Sequence, residues 1–322
     1  MKKILLSATA LSLALTASAF AADLPSRKAP IAPPPPPMTW TGFYVGLNAG
    51  GTFGGSDNAY VTSAPVFLNA SPLLLGGAAV AAAAAAATGS GWRGTGSSGF
   101  IGGGQLGYNY QFGSGLGGFG SAWLVGVETD IQGVGASSGR SYLNSGAPLA
   151  APFVAGSAVT GVTQVSKTLG YLGTVRGRVG FLFTPTLLVY GTGGLAYGNA
   201  SSNTNLFQAG SPPAFGPTFT PAWAAASSYS DTRTGWTAGG GVEWMFLPNW
   251  SAKLEYLYYD LGSINSSSGF SGSFFNPALA PANGPFFLNG AWTSARFEGH
   301  IIRAGANYHF NWAAPAPVLA KY

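Results

Sequence analysis

Eight ionisable residues, Glu128, Asp130, Arg176, Arg178, Glu243, Lys253, Glu255 and Arg303, stand in a chain that is otherwise poor in charge. Charged residues make up only 7% of its 322 positions, against roughly 25% in a soluble globular domain. The set holds four acids and four bases, so its natural chemistry is mutual ion pairing. Several members stand two residues apart: Glu128 with Asp130, Arg176 with Arg178, Lys253 with Glu255. In an extended strand that spacing turns both side chains to one face. Balanced charges on one face either pack shut as salt bridges or line a narrow conduit for ions and small solutes, and the residues alone allow both.

Other patterns carry less. Gly102-x-Gly104-x-x-Gly107 matches the fingerprint that cradles a dinucleotide phosphate, but that fingerprint needs a strand before it and a helix after it. Here it lies inside one alternating stretch, where glycine relieves crowding in a curved sheet. The two histidines, His300 and His309, differ in parity and have no acid cluster at ligand spacing, so no metal site is expected. The absence of cysteine removes disulfides, thiolate ligands and cysteine nucleophiles. Ser294 lies near His300 without the arrangement that holds a nucleophile against its base. Neither a catalytic site nor a cofactor is therefore expected. The net charge of +5 includes Lys2 and Lys3 and gathers into no basic cluster, which excludes a nucleic-acid partner.

The elements that must position the charges alternate with a period of two. In Phe43-Tyr44-Val45-Gly46-Leu47-Asn48-Ala49 the odd positions are apolar and the even ones polar or glycine. The pattern recurs over 100–112, 123–132, 170–183, 187–198, 235–246, 250–260 and 301–312. Each stretch is about 10–14 residues, the length of a tilted strand crossing a bilayer. Thr184-Pro185-Thr186, Leu247-Pro248-Asn249 and the glycine-rich 113–121 are short connections, and they alternate with long ones at about 52–99, 133–168, 199–234 and 261–299. A membrane barrel with both termini on the periplasmic side requires that order. Beyond the N-terminus there is no apolar run long enough for a helical span.

Aromatic residues sort to the two ends of the apolar face. Phe43, Phe112, Trp123, Phe183, Phe246, Trp250 and Phe310 mark the short-turn end; Phe100, Tyr171, Tyr197, Trp236 and Tyr258 mark the other. Amphipathic rings form such girdles at membrane–water interfaces. The ten steps from Trp236 to Phe246 correspond to roughly 25 Å of height at ~3.3 Å per residue and ~40° tilt. By the same parity the eight charges face inward. If Trp123 and Phe183 are level, Glu128 faces Arg178 and Asp130 faces Arg176; the 247–249 turn places Glu243 opposite Lys253.

The predicted organisation is a signal peptide at 1–21, cleaved after Ala21, a proline-rich periplasmic spacer at 22–39, a barrel at 40–312 and a periplasmic tail at 313–322. The fold class is all-β: an eight-stranded antiparallel transmembrane β-barrel with four long extracellular loops, or ten strands if a loop holds a further hairpin. The alanine-rich 73–87 stretch in the first long connection suits a short loop helix. Basic residues in the long connections, Arg93, Arg140, Lys167, Arg233 and Arg296, are candidates for contact with lipopolysaccharide phosphates.

Several blocks carry a resemblance: Trp40–Gly50, Gly170–Gly180, Tyr190–Gly198, Trp236–Val242 and Arg303–Phe310. Together they resemble the porin-family small outer-membrane proteins of the outer membrane immunogenic or RopB type, related in architecture to the OmpA membrane domain. The resemblance implies a surface-exposed, antigenic barrel that supports the cell envelope and is inserted by the barrel-assembly machinery. It also implies that the last-strand aromatics, Tyr308 and Phe310, serve as the insertion signal. Two departures stand out. Twelve residues follow Phe310, where such chains normally end, and the first long connection carries an unbroken alanine run, Ala81–Ala87. The expected partners are outer-membrane lipid, lipopolysaccharide and the assembly machinery. Small solutes are added if the interior conducts, and a lipid-modifying enzyme is the remaining reading.

Overall fold

Strict alternation gives each segment one apolar face and one polar or small face, and such ribbons hide their edges by closing on one another. The computed structural model describes residues 39–55, 58–65, 83–94, 98–112, 122–136, 139–150, 155–210, 222–273 and 285–310. The predicted signal peptide, all of the predicted spacer but Thr39, the tail and the 113–121 link lie outside these residues.

Eight strands form a closed antiparallel ring: β1 (Gly42–Phe53), β4 (Gly99–Gln111), β5 (Trp123–Ala136), β7 (Ala158–Thr184), β8 (Leu187–Gly210), β9 (Ala222–Leu247), β10 (Trp250–Ser273) and β11 (Pro285–His309). The ring closes where β1 pairs with β11 from Tyr44↔His309 to Phe53↔His300. Three shorter strands add to its far end. β2 (Asn58–Pro65) pairs with β11, β3 (Gly91–Gly94) with β2, and β6 (Gly139–Pro148) with β7. Pro185-Thr186 and Pro248-Asn249 make the tight turns at the opposite end. The Gly102–Gly107 motif lies within β4, in strand throughout.

The ladders run further than a bilayer requires. β7 to β11 are 24–27 residues long, so pairing continues into segments expected as connections, such as 158–168 and 199–210. Their alternation uses Thr, Ser, Asn and Val rather than large apolar residues, which still suits an extended ladder in water. Within the overhang Val159, Val165 and Leu206 are buried inside while Val162 and Phe207 are exposed outside.

A short helix, α1 (residues 83–89), occupies the interior of this overhang. Ala84 and Ala85 pack in one apolar cluster with Val159, Leu206 and Ala225, and Ala86 is buried beside them in sequence. Only a methyl-sized side chain lets a helix enter so narrow a cylinder. Gln208 donates to the Ala85 carbonyl and to Thr88 Oγ1, both at 2.6 Å, and Ser145 donates to the Thr88 carbonyl at 2.7 Å.

Candidate functional site in the barrel interior

From the turn end upward, the inward residues form three tiers. The floor is apolar: Leu124, Leu182, Leu188 and Met245, capped by Trp40 just before β1. Trp40 is 1% exposed, and its indole N–H donates to the Pro185 carbonyl at 3.0 Å. The middle tier holds the eight predicted charges, all of them buried. Above them Ile101, Leu172, Leu257, Leu261, Phe297 and Ile301 form an apolar tier that runs up to α1.

In the middle tier Arg176 is the hub. Its guanidinium meets Glu128 at 2.5 Å, Asp130 at 2.9 Å and Glu255 at 3.0 Å, and its Nε donates to Thr174 at 2.9 Å. Arg303 meets Glu255 at 2.5 Å and Asp130 at 2.9 Å. Arg178 donates to Glu243 at 2.6 Å and to the Tyr44 hydroxyl at 2.9 Å, with its guanidinium 4.3 Å from the Tyr190 ring centroid. Lys253 donates to both oxygens of Glu128, at 2.9 and 3.0 Å. β5 and β10 stand four places apart in the ring of eight. The Lys253–Glu128 pair therefore crosses the full width of the barrel.

The predicted register needs correction, although Glu128–Arg178, at 3.4 Å, and Asp130–Arg176, at 2.9 Å, still form ion pairs across neighbouring rungs. Trp123 stands opposite Phe181, not Phe183, so Glu128 faces Arg176 and Asp130 faces Thr174. Strands in a barrel are staggered, so rings at one height do not occupy one rung. Glu243 does face Lys253 in register, but the two are not ion-paired. The long lysine stem reaches across to Glu128, and Glu243 takes Arg178, Ser251 at 2.6 Å and Asn307 at 2.7 Å.

Inward residues that the sequence reading passed over complete the network: Tyr44, Thr174, Tyr190, Ser251, Asn307 and His309. Thr174, Ser251, Asn307 and His309 share the parity of the charges on their strands, while Tyr44 and Tyr190, on strands without charges, share that of the polar and small residues there; that was the available signal. Glycines on the same face make room for the rings. A Cβ at Gly107 would collide with the Tyr44 ring, and one at Gly241 would press on the Tyr190 hydroxyl. Ser251, His309 and Glu243 resemble a hydrolytic triad in composition only. The Ser251 hydroxyl, at 2.8 Å, and the Glu243 carboxylate, at 3.5 Å, both approach Nε2 of His309, whereas a triad needs its acid on the other ring nitrogen. All three are buried.

The outer face has the opposite character. Phe43, Phe100, Trp123, Phe183, Trp236, Phe246 and Trp250 are each at least about one-third exposed there. Phe112, Tyr171, Tyr197, Tyr258 and Phe310 are partly covered by neighbouring side chains. Tyr308 stacks edge-on against both Trp250 and Phe310. Beyond the outer girdle, Arg296 binds Asp260 at 2.5 Å and Glu298 at 3.1 Å. Arg233 donates to the Ser263 carbonyl. Lys167, expected on an external loop, points inward instead, over the Phe297 ring and against the Arg296 carbonyl. The β7 ladder continues past the girdle and sets its parity.

A closed ring with an ionic interior, an exposed apolar exterior and aromatic rings at both edges defines a transmembrane β-barrel. The chain belongs to the outer membrane protein beta-barrel domain family, whose profile matches residues 70–310. It is 30% identical over 321 residues to the 31 kDa outer-membrane immunogenic protein of Brucella melitensis biotype 1, covering 96% of this chain and 100% of that one. It is 34% identical over 113 residues to the 22 kDa outer membrane protein of Rhizobium leguminosarum bv. viciae, covering 33% of this chain and 44% of that one. Among solved structures, OprG from Pseudomonas aeruginosa aligns at 12% identity with a TM-score of 0.35, over 86% of this chain and 100% of that one. The protein is located in the outer membrane.

Proposed function

We propose that the barrel is a structural, surface-displayed outer-membrane protein whose lumen is sealed by its own side chains. The observation that carries this reading is the Lys253–Glu128 pair spanning the lumen, with the Arg176 hub beside it. An eight-stranded barrel is only just wide enough for side chains to fill. Apolar tiers stand above and below the ions, and such tiers oppose the passage of a hydrated solute. The relatives named immunogenic proteins fit a role in surface display.

In this reading the eight charges hold the cylinder together from within. The aromatic girdles set its depth in the bilayer, and Tyr308 with Phe310 guides insertion by the assembly machinery. Catalysis is absent, because the inward Ser251, His309 and Glu243 are walled off and lack triad geometry. Liposome swelling provides the test. Vesicles loaded with the purified protein should swell in small sugars and salts no faster than protein-free vesicles. Swelling that rises with protein content and falls with solute size would establish the porin reading instead.

A further inference from the structure

Above the outer girdle, the barrel wall carries a cleft whose chemistry matches neither the lipid face below it nor an ion site. From Val179 to Ser230 the chain has no charged residue. In the overhang, Tyr142, Gln164, Asn205 and Ala226 lie along one cross-strand path over β6, β7, β8 and β9, beside Val162, Phe207 and Ala224 on the adjacent rungs. These residues line an open cleft of about 450 Å³ on the outer surface, within the size range of small-ligand sites. Tyr142 and Phe207 are more than half exposed. Alanine at 224 and 226 leaves the space between the rings unfilled. The Gln164 and Asn205 amides make no hydrogen bond to the protein among the described residues.

Two exposed rings flanking a pair of free amides, with no charged side chain among the lining residues, suit one ligand class. Sugar rings present apolar C–H faces to aromatic rings, while their hydroxyls both donate and accept, as amides do. An anionic headgroup would find no cation among the lining residues, and a purely apolar ligand would bury both amides unpaired. Height decides the source. Phe207 lies ten ladder residues beyond Tyr197 in the outer girdle, roughly 25 Å above the hydrocarbon edge at ~3.3 Å per residue and ~40° tilt. In an outer membrane that level lies beyond the headgroups, in the saccharide layer of lipopolysaccharide.

We propose that the Tyr142–Phe207 cleft binds the saccharide chain of neighbouring lipopolysaccharide. The site is independent of whether the lumen conducts, since it lies wholly on the outer wall.

The full chain, folded in detergent micelles, is titrated by calorimetry and saturation-transfer NMR with lipid-free polysaccharide released from smooth lipopolysaccharide. Lipid A alone is the second ligand. The polysaccharide should bind, and Phe207→Ala, Tyr142→Ala and Gln164→Leu should each weaken it at least tenfold. Trp92→Ala, at an exposed ring on β3, should leave binding unchanged. Heat-dependent gel mobility verifies that each variant is folded. Undiminished binding in all three cleft variants overturns the proposal, as does binding to lipid A alone. So does a change of oligomeric state by light scattering in Phe207→Ala without a change in sugar binding, because the occupant is then a second copy of the chain.

Discussion

Removing one partner from a buried ionic network leaves the other charge without solvent or counter-ion, at a cost of about 3–5 kcal/mol. Glu243 is fully buried and takes its charged partner from Arg178 rather than from Lys253 across the hairpin. A double-mutant cycle on Glu243→Gln and Arg178→Met should therefore show strong coupling, with a double variant clearly more stable than the sum of the single losses implies. The same cycle on Glu243→Gln and Lys253→Met should come much closer to additivity. Urea unfolding of the refolded barrel reads both. Comparable coupling in the two cycles would contradict the pairing described.

Outside the membrane-spanning Trp250–Tyr258 segment, the Asp260 carboxyl is held below the usual carboxylate range, first by the Arg296 hydrogen bond and further by the Gly262 amide. Gly262 adopts φ +78 at the bulge that turns its N–H back to this carboxylate. Because the folded pKa is depressed, the stabilisation is complete above the ordinary carboxylate pKa and is lost as pH falls through the folded value. Amide exchange around 260–264 and 294–298, corrected for intrinsic rates, should accelerate on acidification. Asp260→Asn should remove that acid-dependent step. A step that persists in the variant would assign it to another group.

At the scale of the element, the closed cylinder depends on two pieces that alternation could not reveal. Trp40 comes before the first strand and seals the floor, and α1 comes from a connection and fills the overhang. Trp40→Ala removes a fully buried ring from an interior that has no room to collapse, so it should cost about 3–5 kcal/mol, measured by urea unfolding. Trp40→Phe should recover much of the loss. Equal losses for both would place the stabilisation in the Pro185 hydrogen bond rather than in packing.

The eight membrane-spanning strands were legible in the sequence because lipid on one side and a crowded lumen on the other force large apolar and charged residues to alternate. Past the girdles water replaces lipid, and the alternation of Thr, Ser, Asn and Val in 158–168 and 199–210 looks like loop. The eight charges were placed on one face by parity alone. Their partners were not, because stagger between strands and the reach of Lys253 across the lumen depend on closure of the whole ring.

For the whole molecule, closure satisfies the backbone in lipid, where an open edge would strand donors and acceptors at several kcal/mol each. A ring of eight brings β5 and β10 face to face, so that Glu128 meets Lys253 and Arg176 meets both strands at once. Planar-bilayer recording tests that arrangement most directly. The wild-type barrel, with insertion verified by its heat-dependent mobility, should pass no steady current above that of the protein-free bilayer. The variant carrying Lys253→Ala, Glu128→Ala and Arg176→Ala, with α1 residues 83–89 deleted, should show discrete conductance steps. Wild-type channels as large as those of the opened variant would contradict a sealed lumen.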